Sequence, residues 1–569
     1  IIKATAHDIL NKLGGNDDTL TLKNDVVFTG VPQFDGGAGQ DTLIFDAVAN
    51  PAHIYTAATD DLAKGNNLVN WETINLRGSR ANLNGDLFAA GTPGALNLQD
   101  GAATLAIAAT NPNLYGNVTN AGTISWINLG NTLNVVGNYQ GIAGSKLVME
   151  TKLGDDASPT DKMAVTGNVT GTSALDIRNA GGTGAQTVRG IQVIQVGGAS
   201  AAGAFTLAHA VEAGAYQYLL RQGDALGGDT PSWYLTSQLL PVNPPVNPPA
   251  PVAYRPAVAN YIGGQAVMAF QGMAQLDTLH QRMGEQRVMD EEGRLTWLRP
   301  SFTRQEADGK TRFGSRADLT GLQLGREVYL SRDDAGTAQR GAVTFDYASV
   351  RADFNDRLRP QGGLSAHTGQ LDGQSLAVGG TYTRMAQDGG YLDLVGQLSS
   401  LRSRFSDVNQ HHGVQDGWRL GLSVEGGKPV AQWGDWRLEP QGQLLYLSTW
   451  NQKFNDGVSD IGAYRSEQLR GRLGLRLFRD RQSEGEHGQF YGIVNVLHDV
   501  LPQRSVPIGG TKVKERFART WGEVGLGGLR QIRKNGHLYA DLRYRQALEA
   551  GAPQVASGFT LNAGLKIAF

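Results

Sequence analysis

LRGRLGLRLF, Leu469 to Phe478, sets Leu469, Leu473, Leu475 and Leu477 on one side of an extended chain and Arg470, Arg472 and Arg476 on the other. A soluble sheet with one wet face has no need of fixed arginines at every second position; a wall between lipid and a polar lumen does. The pattern recurs in neighbouring stretches. GWRLGLSVEGG opposes Trp418, Leu420, Leu422 and Val424 to Arg419, Ser423 and Glu425. WRLEPQGQLLY opposes Trp436, Leu438, Leu444 and Tyr446 to Arg437, Glu439, Gln441 and Gln443. HLYADLRYRQA opposes Leu538, Ala540, Leu542 and Tyr544 to Tyr539, Asp541, Arg543 and Arg545. In the last stretch, GFTLNAGLKIAF, Phe559, Leu561, Ala563, Leu565, Ile567 and Phe569 share a face opposite Thr560, Asn562, Gly564, Lys566 and Ala568.

Apolar faces tipped by Trp or Tyr, backed by charges of both signs, fit a barrel with aromatic girdles outside and a polar lumen inside. Twelve such segments begin near Gly293, Asp318, Gln339, Gly369, Gly390, Gly417, Trp436, Ser466, Gln489, Arg516, Gly536 and Gly558. An even number of antiparallel strands closes without leaving an edge in lipid. The alternative, a soluble β-sandwich, does not account for the repeated arginines.

Ahead of the first strand, AYRPAVANYIGGQAVMAFQGMAQLDTLHQRMGEQR predicts one helix over 257–288, about 45 Å long at ~1.5 Å per residue. The uncharged run Ala257 to Leu276 contains Asn260, Gly263, Gly264, Gln265, Gln271 and Gln275, too polar for lipid on all sides. Its Ala, Gly, Gln and Met make a slim rod suited to a narrow lumen.

The 569 residues carry 51 Lys plus Arg against 53 Asp plus Glu, so no basic excess points to nucleic acid. The absence of Cys removes disulfides, thiolate catalysis, zinc fingers and iron–sulfur clusters. The start, Ile1, Ile2 and Lys3, reads as a mature chain or fragment rather than a secretory signal. Residues 1–250 hold only Arg77, Arg80, Arg178, Arg189 and Arg221, whereas Arg is frequent from Arg255 onward. Between the two regions lies LPVNPPVNPPAPVAYRP, an extended Pro-rich linker.

The first region reads as coils of a β-solenoid: short apolar runs such as WETINLRG, GTISWINLG and TLNVVGNYQG, separated by Asn, Gly and Asp turns. GGNDDTLTL at Gly14 and GGAGQDTLIF at Gly36 resemble each other at about one coil's spacing. Gly36, Gly37, Gly39, Asp41 and Leu43 also match a calcium-binding nonapeptide, which makes Asp41 a candidate Ca²⁺ ligand, with an ordinary Gly-rich turn as the alternative. Toward its end Tyr216, Tyr218, Trp233 and Tyr234 are expected to cover the open edge of the last coil. The expected divisions are solenoid 1–145, junction module 146–240, linker 241–256, helix 257–288 and barrel 289–569. No GxSxG elbow, HExxH helix or P-loop is present, and His411 and His412 fall in an expected loop, so neither an enzyme nor a cofactor is expected.

In this order the motifs resemble those of a type Va autotransporter, AIDA- and pertactin-like. They are YRP at Tyr254 to Pro256, LHQRMGE at Leu279 to Glu285 (the family's LxxRxGE), GWRLGLSVEGG at Gly417 to Gly427, WRLEPQGQLLY at Trp436 to Tyr446, LRGRLGLR at Leu469 to Arg476 and the aromatic C-terminal strand. The module from Lys146 is similar to the pertactin-like junction, or autochaperone. The resemblance implies an all-β fold: a right-handed parallel β-helix passenger with an autochaperone-like cap, then a linker helix threading a 12-stranded antiparallel transmembrane barrel. It implies a Gram-negative outer membrane location, outer-membrane lipid as surroundings, and periplasmic chaperones and barrel-assembly machinery as partners, the latter reading Leu565, Ile567 and Phe569. It further implies a monomer whose passenger crosses unfolded, which suits a chain without Cys, and meets a surface receptor in adhesion. The alternative is a translocator for an upstream secreted hydrolase. One branch of the family cleaves its backbone at an Asn in the helix; here Asn260 is the candidate, followed by Tyr261 rather than a second Asn, with Asp393, Glu425 and Glu523 as candidate polarising acids that otherwise pair with lumen arginines.

Overall fold

The computed structural model describes residues 10–23, 33–47, 68–83, 85–239, 250–284, 293–334, 336–479, 488–533, 535–549 and 556–569. They form two compact units, Ile1–Tyr254 and Arg255–Phe569.

In the first unit, short strands stack in three parallel rows. One row runs Thr19–Lys23, Thr42–Asp46, Thr73–Arg77, Gly94–Leu98 and the C-terminal part of Asn113–Asn120. A second runs Arg80–Leu83, Thr104–Ile107, Thr123–Trp126, Tyr139–Thr151, Val169–Asn179 and Phe205–Leu207. A third links residues 113–115 to Thr132–Val136, Lys162–Val165 and Ile191–Val196. Alternation sends every second side chain inward, so aliphatic residues stack in register: Leu43 on Ile74 on Leu96, and Leu105 on Ile124 on Leu147 on Leu175, all buried. The two similar segments do lie on consecutive coils, with Thr19 paired to Thr42.

A polar ladder runs beside the apolar one. Asn117 Oδ1 accepts from the Asn138 backbone N–H at 2.9 Å, Asn138 Oδ1 from that of Asn168 at 2.8 Å, and Asn168 Oδ1 from that of Ala199 at 2.8 Å. Each side chain satisfies a turn amide that the strand pairing leaves over.

The expected boundary between residues 145 and 146 falls inside the strand Tyr139–Thr151, and parallel stacking continues to Leu207. Stacking ends where Val211–Ala213, Tyr216–Gln222 and Trp233–Thr236 fold into antiparallel pairs, the last lying antiparallel on Ile191–Val196. The end of the linker is also structured: among the described residues 250–254, Val252 bridges Gln238 and Tyr254 bridges Tyr216. Linker residues 241–249 lie outside those described, and Arg255 and Pro256 belong to the second unit.

The second unit is a closed antiparallel barrel of twelve strands: β1 Leu295–Asp308, β2 Phe313–Arg332, β3 Ala338–Asp356, β4 His367–Met385, β5 Tyr391–Asp407, β6 His412–Gly427, β7 Trp436–Asn451, β8 Tyr464–Arg479, β9 Gly488–Asp499, β10 Thr520–Arg533, β11 Gly536–Ala547 and β12 Ala556–Ala568. Each pairs with its sequence neighbours, and β1 pairs with β12, closing the ring. The outward face is apolar: Leu473, Leu526 and Phe490 are 74%, 71% and 69% exposed, values that belong in lipid rather than water. Trp418 lies opposite Trp450, and Trp433 opposite Trp436, near the two ends of the wall. The fourteen-residue separation of Trp436 and Trp450 corresponds to roughly 33 Å along the membrane normal at a 45° tilt, enough to bracket the hydrocarbon. At the long-loop end, residues 454–455, 460–461, 506–508 and 511–513 join two loops in a small sheet with buried Ile461 facing Ile508.

The upstream helix differs from expectation. It is two helices, α1 Pro256–Leu276 and α2 Leu279–Met283, and residues 285–288 of the expected span lie outside those described. Asp277, at φ 39°, breaks the run, and Thr278 starts α2 through a reciprocal capping box with Gln281. The uncharged run is α1 itself; the break sits at its first charge. No described helix is long and apolar enough to cross a membrane.

Candidate functional site

The lumen is filled by α1, which buries 17 named residues, Asn260 and three glutamines among them. Its glycines lie where the wall presses in. A Cβ on Gly263 would lie 2.5 Å from the Phe354 ring, and one on Gly264 would lie 2.7 Å from Phe405.

Carboxylates of the barrel hold the helices at both ends, one from a loop and the others from the wall. At the long-loop end the buried Arg255 guanidinium donates to Asp456 at 2.6 Å and to Ser459 at 2.9 Å, while the Tyr261 hydroxyl donates to the same carboxylate at 2.6 Å. Burial alone would push Asp456 up, but Arg255 and these hydrogen bonds hold its carboxyl below the usual range. At the short-turn end Arg282 donates to both Asp393 oxygens at 2.8 Å, and Tyr539 donates to the Arg282 carbonyl at 2.5 Å. Glu425 accepts from the Leu279 backbone N–H at 3.0 Å and from Tyr391 at 2.8 Å, and it pairs with Arg472 at 3.1 Å. Asp277, at the helix break, pairs with Arg299 at 2.6 Å. His280 and Arg476 both approach Glu439, at 3.4 and 3.6 Å.

The remaining predicted lumen residues also face inward. Arg543 meets Asp541 and Glu523, and Arg545 meets Glu523 at 2.7 Å, linking β10 and β11 without the helix. Arg470 forks onto Asp499 at 2.6 and 2.9 Å. Arg437 is half-buried near the turn end of β7. Arg419 differs: it is 1% exposed, and its guanidinium donates to the Met268 carbonyl at 2.5 Å, with no carboxylate paired to it among the described residues.

Asn260 is buried, its carboxamide nitrogen donating to Ser406 O at 3.0 Å and its oxygen accepting from Thr368 at 2.9 Å. Asp393, Glu425 and Glu523 are not among its partners; each is engaged by arginine. Leu565 and Ile567 lie half-exposed on the lipid side of β12, and Phe569 is exposed with the Arg326 guanidinium 5.4 Å from its ring. His411 accompanies Asp407 at 3.1 Å in a turn, while His412 opens β6.

In the first unit the four aromatics named for the cap lie on the antiparallel strands Tyr216–Gln222 and Trp233–Thr236, each with its own partners. Tyr218 is fully buried, donating to Gly154 O at 2.8 Å and accepting from the Ala185 N–H at 3.0 Å, and burial pushes its hydroxyl up to about 12. Trp233 stands edge-on to Phe205, which stacks on Tyr139. Tyr234 donates to Asp229 at 2.6 Å, and Tyr216 meets Tyr254 with ring centres 6.1 Å apart. Asp41 is buried and accepts from the Asp18 N–H at 2.8 Å, a contact between coils. Among the described residues no group of three His, Asp or Glu ligand atoms gathers around it.

Sequence reasoning missed the latches. Arg255, Arg282 and Asp277 are the charges that border or interrupt an otherwise uncharged helix, and that placement is the signal that marks them.

Residues 97–220 match the family model described as Autochaperone Domain Type 1, and residues 296–543 match Autotransporter beta-domain. Adhesin BmaC autotransporter of Brucella suis is 30% identical over 488 residues, 79% of this chain and 14% of that protein. Autotransporter adhesin AIDA-I of Escherichia coli is 32% identical over 256 residues, 44% of this chain and 19% of that protein. The chain therefore spans less than a fifth of either relative's length. The solved transport unit of AIDA-I from Escherichia coli aligns with 56% of this chain and 100% of its own, at 14% identity and a TM-score of 0.43. Two domain matches, in the order in which the chain builds its capped solenoid and its threaded barrel, lead to one assignment: the chain belongs to the type Va autotransporters, AIDA- and pertactin-like, with its barrel in the Gram-negative outer membrane.

Proposed function

We propose that this chain translocates and anchors its own β-helical passenger and presents it outside the cell for adhesion. The observation that carries the reading is the helix pinned in the lumen at both ends, by Asp456 on Arg255 and by Asp393 on Arg282, which leaves the connecting segment fixed inside a closed wall. Such a seat suits a segment that stays behind after the chain ahead of it has passed. Adhesion is favoured over an upstream hydrolase because the relatives BmaC and AIDA-I are named adhesins. On this reading periplasmic chaperones keep the passenger unfolded, the barrel-assembly machinery reads Leu565, Ile567 and Phe569, and the antiparallel cap folds first to template the parallel coils. The closed barrel functions as a monomer, and a surface receptor is the passenger's partner.

Protease treatment of intact cells expressing the chain behind a signal peptide, tagged before Ile1 and in the VNPP linker, tests this. Loss of the first tag with a protected, heat-modifiable barrel is the expected result. Survival of both tags until the outer membrane is opened would place the passenger in the periplasm and end the proposal.

A further inference from the structure

Beside α1, the long-loop end of the barrel contains a vestibule of about 350 Å³. Its floor is apolar and aromatic: Val267, Phe270 and Met273 from the helix, Ala317 and Trp521 from the wall, and Phe517 from the loop between β9 and β10. The Arg545 guanidinium sits 5.5 Å from the Phe270 ring, and two neighbouring cavities lined by Phe270 are far smaller, about 10 and 40 Å³.

Its charged lining is unbalanced. Lys310, Arg470, Lys514, Arg516 and Arg519 face two carboxylates, Asp499 and Glu515. Both carboxylates are already committed. Asp499 holds the Arg470 fork, and Glu515 takes the backbone N–H groups of Thr311, Arg312 and Phe313 at 2.8 to 3.1 Å. Lys310 is spent on Glu549 at 2.5 Å. Among the described residues the Arg519 guanidinium donates to the backbone carbonyls of Asp499 and Val500 and to no carboxylate. Lys514 and Arg516 are exposed and meet no carboxylate among the described residues. An apolar pocket the size of a small ligand, rimmed by cations without counter-charges, complements a molecule with an apolar body and an anionic head.

We propose that the vestibule is a binding site for small amphipathic anions, a carboxylate or sulfonate on an aromatic or hydrocarbon body, entering from the outside of the cell. The body lies on Phe270, Trp521 and Phe517 while the anionic group meets Lys514, Arg516 and Arg519. Arg470 and Lys310 keep their protein partners and hold the walls. Long loops face outward in such barrels, which puts the rim on the outer side of the membrane.

Titration calorimetry on the full chain in nanodiscs, with naphthalenesulfonate as the probe, tests the site. Saturable one-to-one binding is expected, weakened at least about tenfold for naphthylmethylammonium, for inorganic sulfate, and for a Lys514→Glu/Arg516→Glu variant whose heat-modifiable migration shows an intact barrel. Should that variant fail to fold, Lys514→Gln/Arg516→Gln replaces it, with the same direction expected. Absence of saturable heat, equal affinity for the ammonium analogue or for inorganic sulfate, or binding unchanged by removing both cations would overturn the proposal.

Discussion

Gly272 leaves open the space that the Arg419 guanidinium occupies: a Cβ on Gly272 would lie 2.5 Å from Arg419 Nη1. The arginine reaches over the bare helix backbone to the Met268 carbonyl one turn earlier. Gly272→Ala is therefore expected to cost about 1–3 kcal/mol through overpacking. The loss should appear as a lower temperature for conversion of the folded barrel band on electrophoresis, and adding Arg419→Ala should recover part of it. A purely additive pair would show that the two residues are not coupled.

Asp393 and Arg282 are both buried, so removing one partner is worse than removing both. Asp393→Asn is expected to cost on the order of 3–5 kcal/mol by leaving a guanidinium unpaired, and Asp393→Asn/Arg282→Gln to cost clearly less. Thermal conversion of the three variants beside the unaltered chain provides the measurement.

The cap should be sensitive to alkali. Tyr218 titrates near 10 in an unfolded chain and at about 12 when buried in this fold. The folded form holds its proton more tightly, so the stability contributed is fully present below pH ~10 and is lost as pH rises from ~10 to ~12, a change on the order of 2–3 kcal/mol. Tyr218→Phe should remove this part of the alkaline transition and cost about 1–3 kcal/mol at neutral pH by leaving the Ala185 N–H unpaired. Denaturant melts of the unit at several pH values would show both.

Asn138 is the middle rung of the asparagine ladder. Asn138→Ala should destabilise the first unit by about 1–3 kcal/mol, because the Asn168 amide loses its acceptor, whereas Asn138→Asp should retain most of the stability. Chemical denaturation followed by circular dichroism distinguishes the two.

The barrel was the most legible part of the sequence because its solvent changes at every residue: Leu473 and Arg472 are neighbours, yet one faces lipid and the other the lumen. Parallel coils were legible for the same period-two reason, and the similarity of Gly14 and Gly36 segments revealed their stacking. The junction was less legible. Larger side chains at Leu147 and Met149 suggested a new module; Leu147 stacks on Ile124 of the preceding coil, and both stack forward on Leu175 and Ile177. The helix break was hidden because an aspartate in a helical pattern carries no mark of a positive φ; the Arg299 carboxylate partnership that accompanies it lies 22 residues away. The latches depend on pairs such as Arg255 with Asp456, 201 residues apart, which periodicity within one segment does not reach.

The pairing of β1 with β12 has one more consequence. Asp308 closes a strand whose second neighbour begins only at Ala556, so any chain interrupted between them keeps an open edge that lipid does not tolerate. A polypeptide that stops short of Ala556 would lack the partner that closes the ring, so the last strand made is the one that makes the wall fit for lipid.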